Sequence, residues 1–572
     1  MTRITIDPIP RIEGHLRIDC EVDGGKVTKA WSSGQMWRGI EFVLKGCDPR
    51  DAWILTQRIC DVCTTAHAIA SVRAVENALN LEVPINAQYI RNMIVAAHGV
   101  HDHIAHFYDV AAPDWVDFVS ALKGDPEGAA KFGARLCDYK ANSVPNIRSA
   151  RDKLRTLVDS GNLGFFASGW GHSAMKLPPD VNLLATTHYM QSLKVQRIAN
   201  KIVTILGSQT PHIQNLAVGG VSNAINPDSP LTLEQLYEIK TLIEQLGDFV
   251  HNAMMNDVAA VGALYADWTQ YGAGVTNYLS VPDLPLDTKG MTFELPGGYI
   301  PAGDLSKYRA ITSHQDVFFR EGVKEAVKHS WYEYFGAAAA LHPYDGQTNP
   351  KYDDFHDDGK YSWIKAPTFQ GKRAQVGPLA NVLCMYAAGH EPTKRHLTRL
   401  VEVASMVAGT QISLSALHST IGRIAARAVR CAVLHETLQN QWQLLLDNIA
   451  RGDTRTFNRP AFPKGEVRGF GCHEAPRGVL SHWAVIKDGK IANYQALVPS
   501  TWNAGPRDQN DEAGPCEAAL IDNPVADANL PLEVLRTVHS FDPCVACAVR
   551  MVDAEKRPIL QVKRPMLQVQ AM

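Results

Sequence analysis

Two Cys-x-x-Cys pairs stand at opposite ends of this 572-residue chain, Cys60/Cys63 and Cys544/Cys547. Four thiolates in that local spacing form a soft-metal ligand set, each pair able to grip one ion from a single turn. A structural zinc ribbon brings its second pair within about 15–20 residues of the first. Here one ion would tie the beginning of the chain to its end, so the fold must return both ends to its centre. That placement points to catalysis rather than to a local staple. The other seven cysteines (Cys20, Cys47, Cys137, Cys384, Cys431, Cys472 and Cys516) lack motif spacing and read as small buried hydrophobes. An odd total of eleven speaks against a disulfide framework.

Charge and patterning narrow the class further. With 56 basic against 59 acidic side chains the net charge is −3, which leaves no nucleic-acid footprint. No run of 18 apolar residues is present, and the N-terminus lacks the apolar segment of a secretory signal, so export would have to ride on another chain. The opening reads as a β-hairpin: Leu16 to Val22 alternates, Asp23-Gly24-Gly25 turns, and Val27 to Trp31 resumes. A second hairpin runs from Trp483 to Ile486, turns at Lys487-Asp488-Gly489-Lys490, and continues from Ile491 to Val498.

Between the hairpins the signal is helical. Ile239, Ile243, Leu246 and Val250 recur at helical steps after Leu236, behind a Thr232-x-x-Gln235 capping box. Asn86 to Tyr108 and His418 to Ile449 form two more long stretches, the latter closed by Arg451-Gly452. Residues 279–369, rich in Gly, Pro, Asp and Tyr, read as loops with short strands. The expected fold is α-rich α+β: a large helical body, small β-hairpins near both termini, and the termini converging on a buried metal site.

The first cysteine pair belongs to a longer pattern. Arg38-Gly39-Ile40-Glu41 precedes Gln57-Arg58-Ile59-Cys60-Asp61-Val62-Cys63, with His67 four residues on. Arg11-Ile12-Glu13-Gly14-His15, Pro211-His212-Ile213-Gln214-Asn215, Ala475-Pro476-Arg477-Gly478 and Asp542-Pro543-Cys544-Val545-Ala546-Cys547 complete it. The ordered set resembles the large subunit of nickel–iron hydrogenases, especially the membrane-associated uptake branch, over essentially the whole chain. One Cys-x-x-Cys alone carries little; the set at both ends is specific.

The resemblance implies that all four cysteines bind nickel, with Cys60 and Cys544 terminal and Cys63 and Cys547 bridging to an iron that also carries carbon monoxide and two cyanides. Thiolate is a soft donor suited to a nickel that changes oxidation state. A structural four-cysteine zinc site of the same fold would use the cysteines but leave the polar motifs unexplained. Splitting hydrogen heterolytically needs a base for the proton. Glu13 matches the family's proton-relay glutamate, and burial among apolar residues should raise its pKa. Arg477 matches the arginine over the open metal position. Asp102 and Asp542 match the carboxylates that hold it, although Asp542 also reads as a turn residue before Pro543. Ser500 and the backbone at Pro476 and Arg477 match groups that hydrogen-bond the cyanides, which are buried acceptors. His67 is expected to hydrogen-bond a cysteine sulfur, and His212 to face a partner subunit's cluster. His98, His101, Asp102, His103 and His106 mimic a metal cluster at helical spacing but read as a core helix.

Two positions depart from the family pattern. Asp61 stands where Gly usually follows the first cysteine, and Asp tolerates a left-handed backbone. Arg550 replaces the histidine that ligates a magnesium and marks where a C-terminal peptide is removed. A guanidinium has no lone pair to offer a metal. The magnesium implied by Glu41 and the carbonyl of Ala496 therefore competes with direct pairing of Arg550 to Glu41. The expected division is a large-subunit domain over 1–550 and an extension, 551–572, cut off by a maturation endopeptidase. The resemblance implies H2 oxidation of uptake type, with electrons leaving through an obligate iron–sulfur small subunit. It places the complex at the periplasmic face of the membrane, held there only through partners and exported with the small subunit; a cytoplasmic location is the alternative. Rival readings are a hydrogen sensor, which lacks the removable extension, and the quinone-site subunit of respiratory NADH dehydrogenase, which would not need four cysteines.

Overall fold

The computed structural model describes residues 2–161, 171–226, 231–336 and 339–545. At its centre the helices Ile85–Ala105 and Thr420–Ala450 pack against each other, flanked by Pro179–Gly207, Leu233–Phe249 and Glu391–Ala408. Their facing apolar stripes, including Ile90, Ile94, Val429 and Leu438, are buried. The expected capping box closes the helix Leu233–Phe249: Thr232 Oγ1 accepts from Gln235 N–H at 3.3 Å and Gln235 Oε1 accepts from Thr232 N–H at 3.1 Å. The helix expected from His418 begins at Thr420, because the hydroxyl of Ser419 accepts from Gly422 N–H and fixes the start. The helix expected to reach Tyr108 is α-helical only to Ala105 and continues as a π-turn, His106–Ala111.

Both hairpins are present, and each carries a third strand that alternation had not marked. Thr2–Ile6 pairs antiparallel with Leu16–Asp23, which pairs with Lys26–Gly34. Near the other end Glu466–Ala475, Gly478–Lys487 and Lys490–Leu497 form an antiparallel sheet. Glu466–Ala475 does not alternate because both faces are buried over most of its length. The helix Thr64–Ala78 lies directly on it: a Cβ at Gly469 would stand 2.3 Å from Ala74 O, and one at Gly471 2.1 Å from Ala70 O. This contact places the helix start, with Cys63 and His67, beside the Ala475–Gly478 turn that carries Pro476 and Arg477.

The chain ends meet through one apolar cluster. Ile4, Leu16, Ile18 and Val27 of the N-terminal sheet pack with Leu520, Val534, Val538 and Val545 from the C-terminal segment. Glu13 and Cys544 then pair as a parallel β-bridge, with Val545 N–H donating to Glu13 O at 2.7 Å. Within the described residues of 279–369, strands run two to four residues each, as expected. No described helix is long and apolar enough to cross a membrane. Five of the seven remaining cysteines are buried, whereas Cys47 and Cys137 are only partly so, which corrects the uniform burial expected of them.

Candidate metal centre

Cys60, Cys63 and Cys544 converge in the interior, their sulfurs all within 4.8 Å of one another. Cys544 Sγ lies 3.0 Å from Cys60 Sγ and 4.0 Å from Cys63 Sγ. Sulfurs about 2.3 Å from a shared tetrahedral ion lie on the order of 3.8 Å apart, so the three thiols fit one soft metal. Backbone N–H groups of Val62 and Cys63 donate to Cys60 Sγ at 3.3 and 3.1 Å, a fixed dipolar environment for a thiolate. Cys63 caps the helix Thr64–Ala78, whose N-terminus favours negative charge. Cys547 lies outside the described residues, as does Arg550.

The other expected residues surround these sulfurs. A cavity of about 10 Å³ is lined by Cys63, His67, Pro476, Arg477, Ser500 and Cys544. Ser500 Oγ accepts from Cys544 N–H at 2.9 Å. The His67 ring is buried against His482, with 3.1 Å between Nδ1 and Nε2, and burial holds its pKa down at about 4. Arg477 is gripped on both sides: NH1 reaches Asp102 Oδ2 at 3.1 Å, NH2 reaches Asp542 Oδ1 at 3.0 Å, and Nε donates to Asp542 O at 3.1 Å. Burial opposes charge on all three groups. Their mutual attraction outweighs it, so both carboxyls sit below the usual range and Arg477 well above its own. The turn-residue reading of Asp542 holds as well: its φ is +57°, a conformation Asp tolerates.

Glu13 is half-buried rather than enclosed by apolar groups. Its pKa is raised by burial, then by Cys60 and Asp61, against Arg477 and Arg38. Asp61 keeps a negative φ, and its side chain is 78 % exposed, 3.8 Å from His212 Nε2. It points outward, away from the sulfurs. The histidines of the central helix serve as contacts: His103 Nδ1 lies 3.2 Å from Arg427, and His106 Nε2 donates to His539 O at 2.7 Å.

Glu41 and Ala496 also meet, through Ala496 N–H donating to Glu41 Oε1 at 2.9 Å. The same cavity, about 70 Å³, contains Lys365, which the motifs did not mark. Its Nζ stands 3.7 Å from Glu41, 3.8 Å from Glu325, and 2.7 Å from Gln495 Oε1. Also unmarked were three buried arginines at helical spacing, Arg423, Arg427 and Arg430. Arg423 donates to Ser540 Oγ, Arg427 lies 3.1 Å from Asp542 Oδ2 and donates to Pro476 O, and Arg430 pairs with Glu474. Their spacing, i, i+4 and i+7 on an otherwise apolar helix, was the available signal.

Comparison with known proteins decides the family. A nickel-dependent hydrogenase profile matches residues 38–550, and a HoxL-like profile matches 3–32. The chain belongs to the nickel-dependent hydrogenase family. It is 55 % identical to the Hydrogenase-2 large chain of Escherichia coli K12, covering 98 % of this chain and 99 % of that one. It is 40 % identical to the uptake hydrogenase large subunit of Rhodobacter capsulatus, over 98 % and 97 %. The solved Ni-Fe-Se hydrogenase of Desulfovibrio vulgaris Hildenborough matches with TM-score 0.77 and 31 % identity, over 96 % of this chain and 100 % of that chain. This hydrogenase large subunit is therefore the catalytic chain of H2 oxidation, its family implies a nickel–iron centre, and the converging thiols offer a donor set that could hold a metal ion. Large subunits of this family pair with a small subunit and act on H2.

Proposed function

We propose that Cys60, Cys63, Cys544 and Cys547 would hold nickel, with Cys63 and Cys547 also offered to iron, and that Glu13 accepts the proton released from H2. The supporting observation is the Glu13–Cys544 bridge, which fixes the carboxylate's backbone in register with a nickel thiolate. When bound, the metal pair supplies the soft, redox-active site at which H2 splits. The chain does the rest. Arg477, immobilised by two carboxylates, presents a permanent positive charge to the cavity above the sulfurs, where it can polarise H2. Raised by burial and by Cys60, the Glu13 carboxylate can both take a proton at Oε and release it. Ser500 accepts from Cys544 N–H, and its own proton would remain to donate to a cyanide of the bound centre.

The finer assignments follow the same pattern. Electrons leave toward an iron–sulfur small subunit across the face marked by exposed Asp61 and the partly buried His212 beside it. An endopeptidase removes residues 551–572 after nickel insertion, and the pair works at the periplasmic face of the membrane, exported on the small subunit's signal. The Glu41 cavity offers the carboxylates of Glu41 and Glu325, hard donors that would take a magnesium ion only in competition with the Lys365 ammonium. Cys544→Ser tests the thiolate set: nickel and H2 uptake should both be lost, and retention of both near wild type would refute it. Glu13→Gln should keep the metals and lose at least about 10²-fold in turnover. Infrared bands of carbonyl and cyanide, intact mass, and magnesium analysis of purified heterodimer test the remaining assignments.

A further inference from the structure

One buried carboxylate outside the described centre touches both chain ends. Asp114 is fully buried in the 3₁₀ turn Ala112–Asp114, which continues the chain from the helix carrying Asp102. Its Oδ1 accepts from the Arg11 guanidinium, which also donates to Val110 O at 2.7 Å. Its Oδ2 accepts from His539 Nδ1 at 2.6 Å, while His539 Nε2 donates to Pro10 O at 2.9 Å. Both ring nitrogens of His539 thus face oxygen acceptors. Arg536 closes the arrangement, its Nε donating to Asp114 O at 2.9 Å over the rings of Trp115 and Trp268.

The sequence positions give this cluster its meaning. Arg11 stands two residues before Glu13, and at φ +57° its backbone has little freedom to adjust. His539 ends the segment that leads to Asp542 and Cys544, and Asp542 N–H donates to His539 O at 2.9 Å. One carboxylate between a guanidinium and an imidazole thus sets the approach of the N-terminal segment to the C-terminal one, just before they bridge at Glu13 and Cys544. Apolar packing of the sheet against Val534 and Val538 brings the two segments together but leaves them free to slide. Directional hydrogen bonds to a buried charge do not.

We propose that Asp114 is a positioning residue for hydrogen turnover: it fixes Glu13 against Cys544, and so the distance a proton must cross. The proposal rests on the reading of Glu13 as proton acceptor. The test uses the purified heterodimer with nickel measured per chain and H2/D⁺ exchange, which reads proton transfer independently of electron transfer. Asp114→Asn keeps the shape and removes the charge. Arg11→Lys, at a residue 12 % exposed, keeps the charge and removes the fork, and it decides the matter if Asp114→Asn does not fold. Both should keep full nickel, lose exchange per nickel by about fivefold or more, and displace its pH profile, with the apparent KM for H2 unchanged. Exchange in Asp114→Asn/Glu13→Gln should be no lower than in Glu13→Gln alone. Wild-type exchange per nickel and an unmoved pH profile in both single variants would overturn the proposal, whatever their melting temperatures. If Glu13→Gln alone leaves exchange intact, the reading of Glu13 has failed and the proposal falls with it, even where Arg11→Lys lowers exchange.

Discussion

Two buried cations, each set between two carboxylates, behave differently. Arg477 meets Asp102 and Asp542 at 3.1 and 3.0 Å, with a third bond to the backbone. Lys365 meets Glu41 and Glu325 only at 3.7 and 3.8 Å, and spends its one short bond, 2.7 Å, on Gln495. A planar guanidinium can saturate two carboxylates at once, whereas an ammonium is a point charge on a flexible stem. The first cluster is closed, its cation held by three polar contacts. The second keeps slack around a cavity of about 70 Å³, room for something besides the chain. Titration separates them too: Asp102 and Asp542 are depressed, while burial pushes Glu325 up to about 7.

Breaking the closed cluster should cost most. Arg477→Lys retains a charge but cannot serve both carboxylates, so H2 oxidation should fall by at least about 10²-fold with nickel retained. Near-normal turnover would show that the field requires only a charge, and the contrast with Lys365 would collapse. The pH comparison is intermediate in size. Between pH 4.5 and about 7 folded Glu325 binds more proton than the unfolded chain, so its contribution weakens as pH rises, by roughly 3 kcal/mol at most. Asp102 and Asp542 run the other way: their contribution is present above the ordinary pKa of 3.8 and is lost as pH falls below it. Thermal midpoints at pH 5 and pH 8 should therefore differ less in Glu325→Gln than in wild type, and an identical difference would refute the assignment. Asp61→Gly should change least. An outward side chain 78 % exposed predicts a stability change within about 0.5 kcal/mol and turnover within twofold, and a larger loss would place Asp61 with the centre.

The sequence made the closed cluster legible and hid the open one for physical reasons. Cysteines, Arg477 and Asp542 sit in short motifs whose residue types have few uses in combination, and Asp102 was marked by the family pattern. Lys365 lies in the Gly- and Tyr-rich segment, where a lysine carries no periodic signal and its partners arrive from distant strands. Arg427 was missed because its partner Asp542 joins it only after the chain ends meet. The helical body and hairpins followed from periodicity. The third strands did not, since Thr2–Ile6 runs into Pro8 and Pro10, and Glu466–Ala475 gives up alternation to lie under Ala70 and Ala74. Half-exposed Glu13 gets its shift partly from neighbouring charge, which apolar pattern alone does not encode.

Joining residues as distant as Cys60 and Cys544, 484 positions apart, has a consequence for how the protein is made. At about 5–20 residues per second, the first cysteine pair leaves the ribosome roughly half a minute to a minute and a half before Cys544 exists. Throughout that interval the early thiols lack Cys544, and the apolar face of the N-terminal sheet lacks Val534 and Val538. If the two pairs hold one centre as proposed, a metal arriving early would find only half its ligands, and any bound there would be held loosely and exchange. Translation order therefore acts as a timer, postponing a committed centre until nearly every other element of the chain is available to fold.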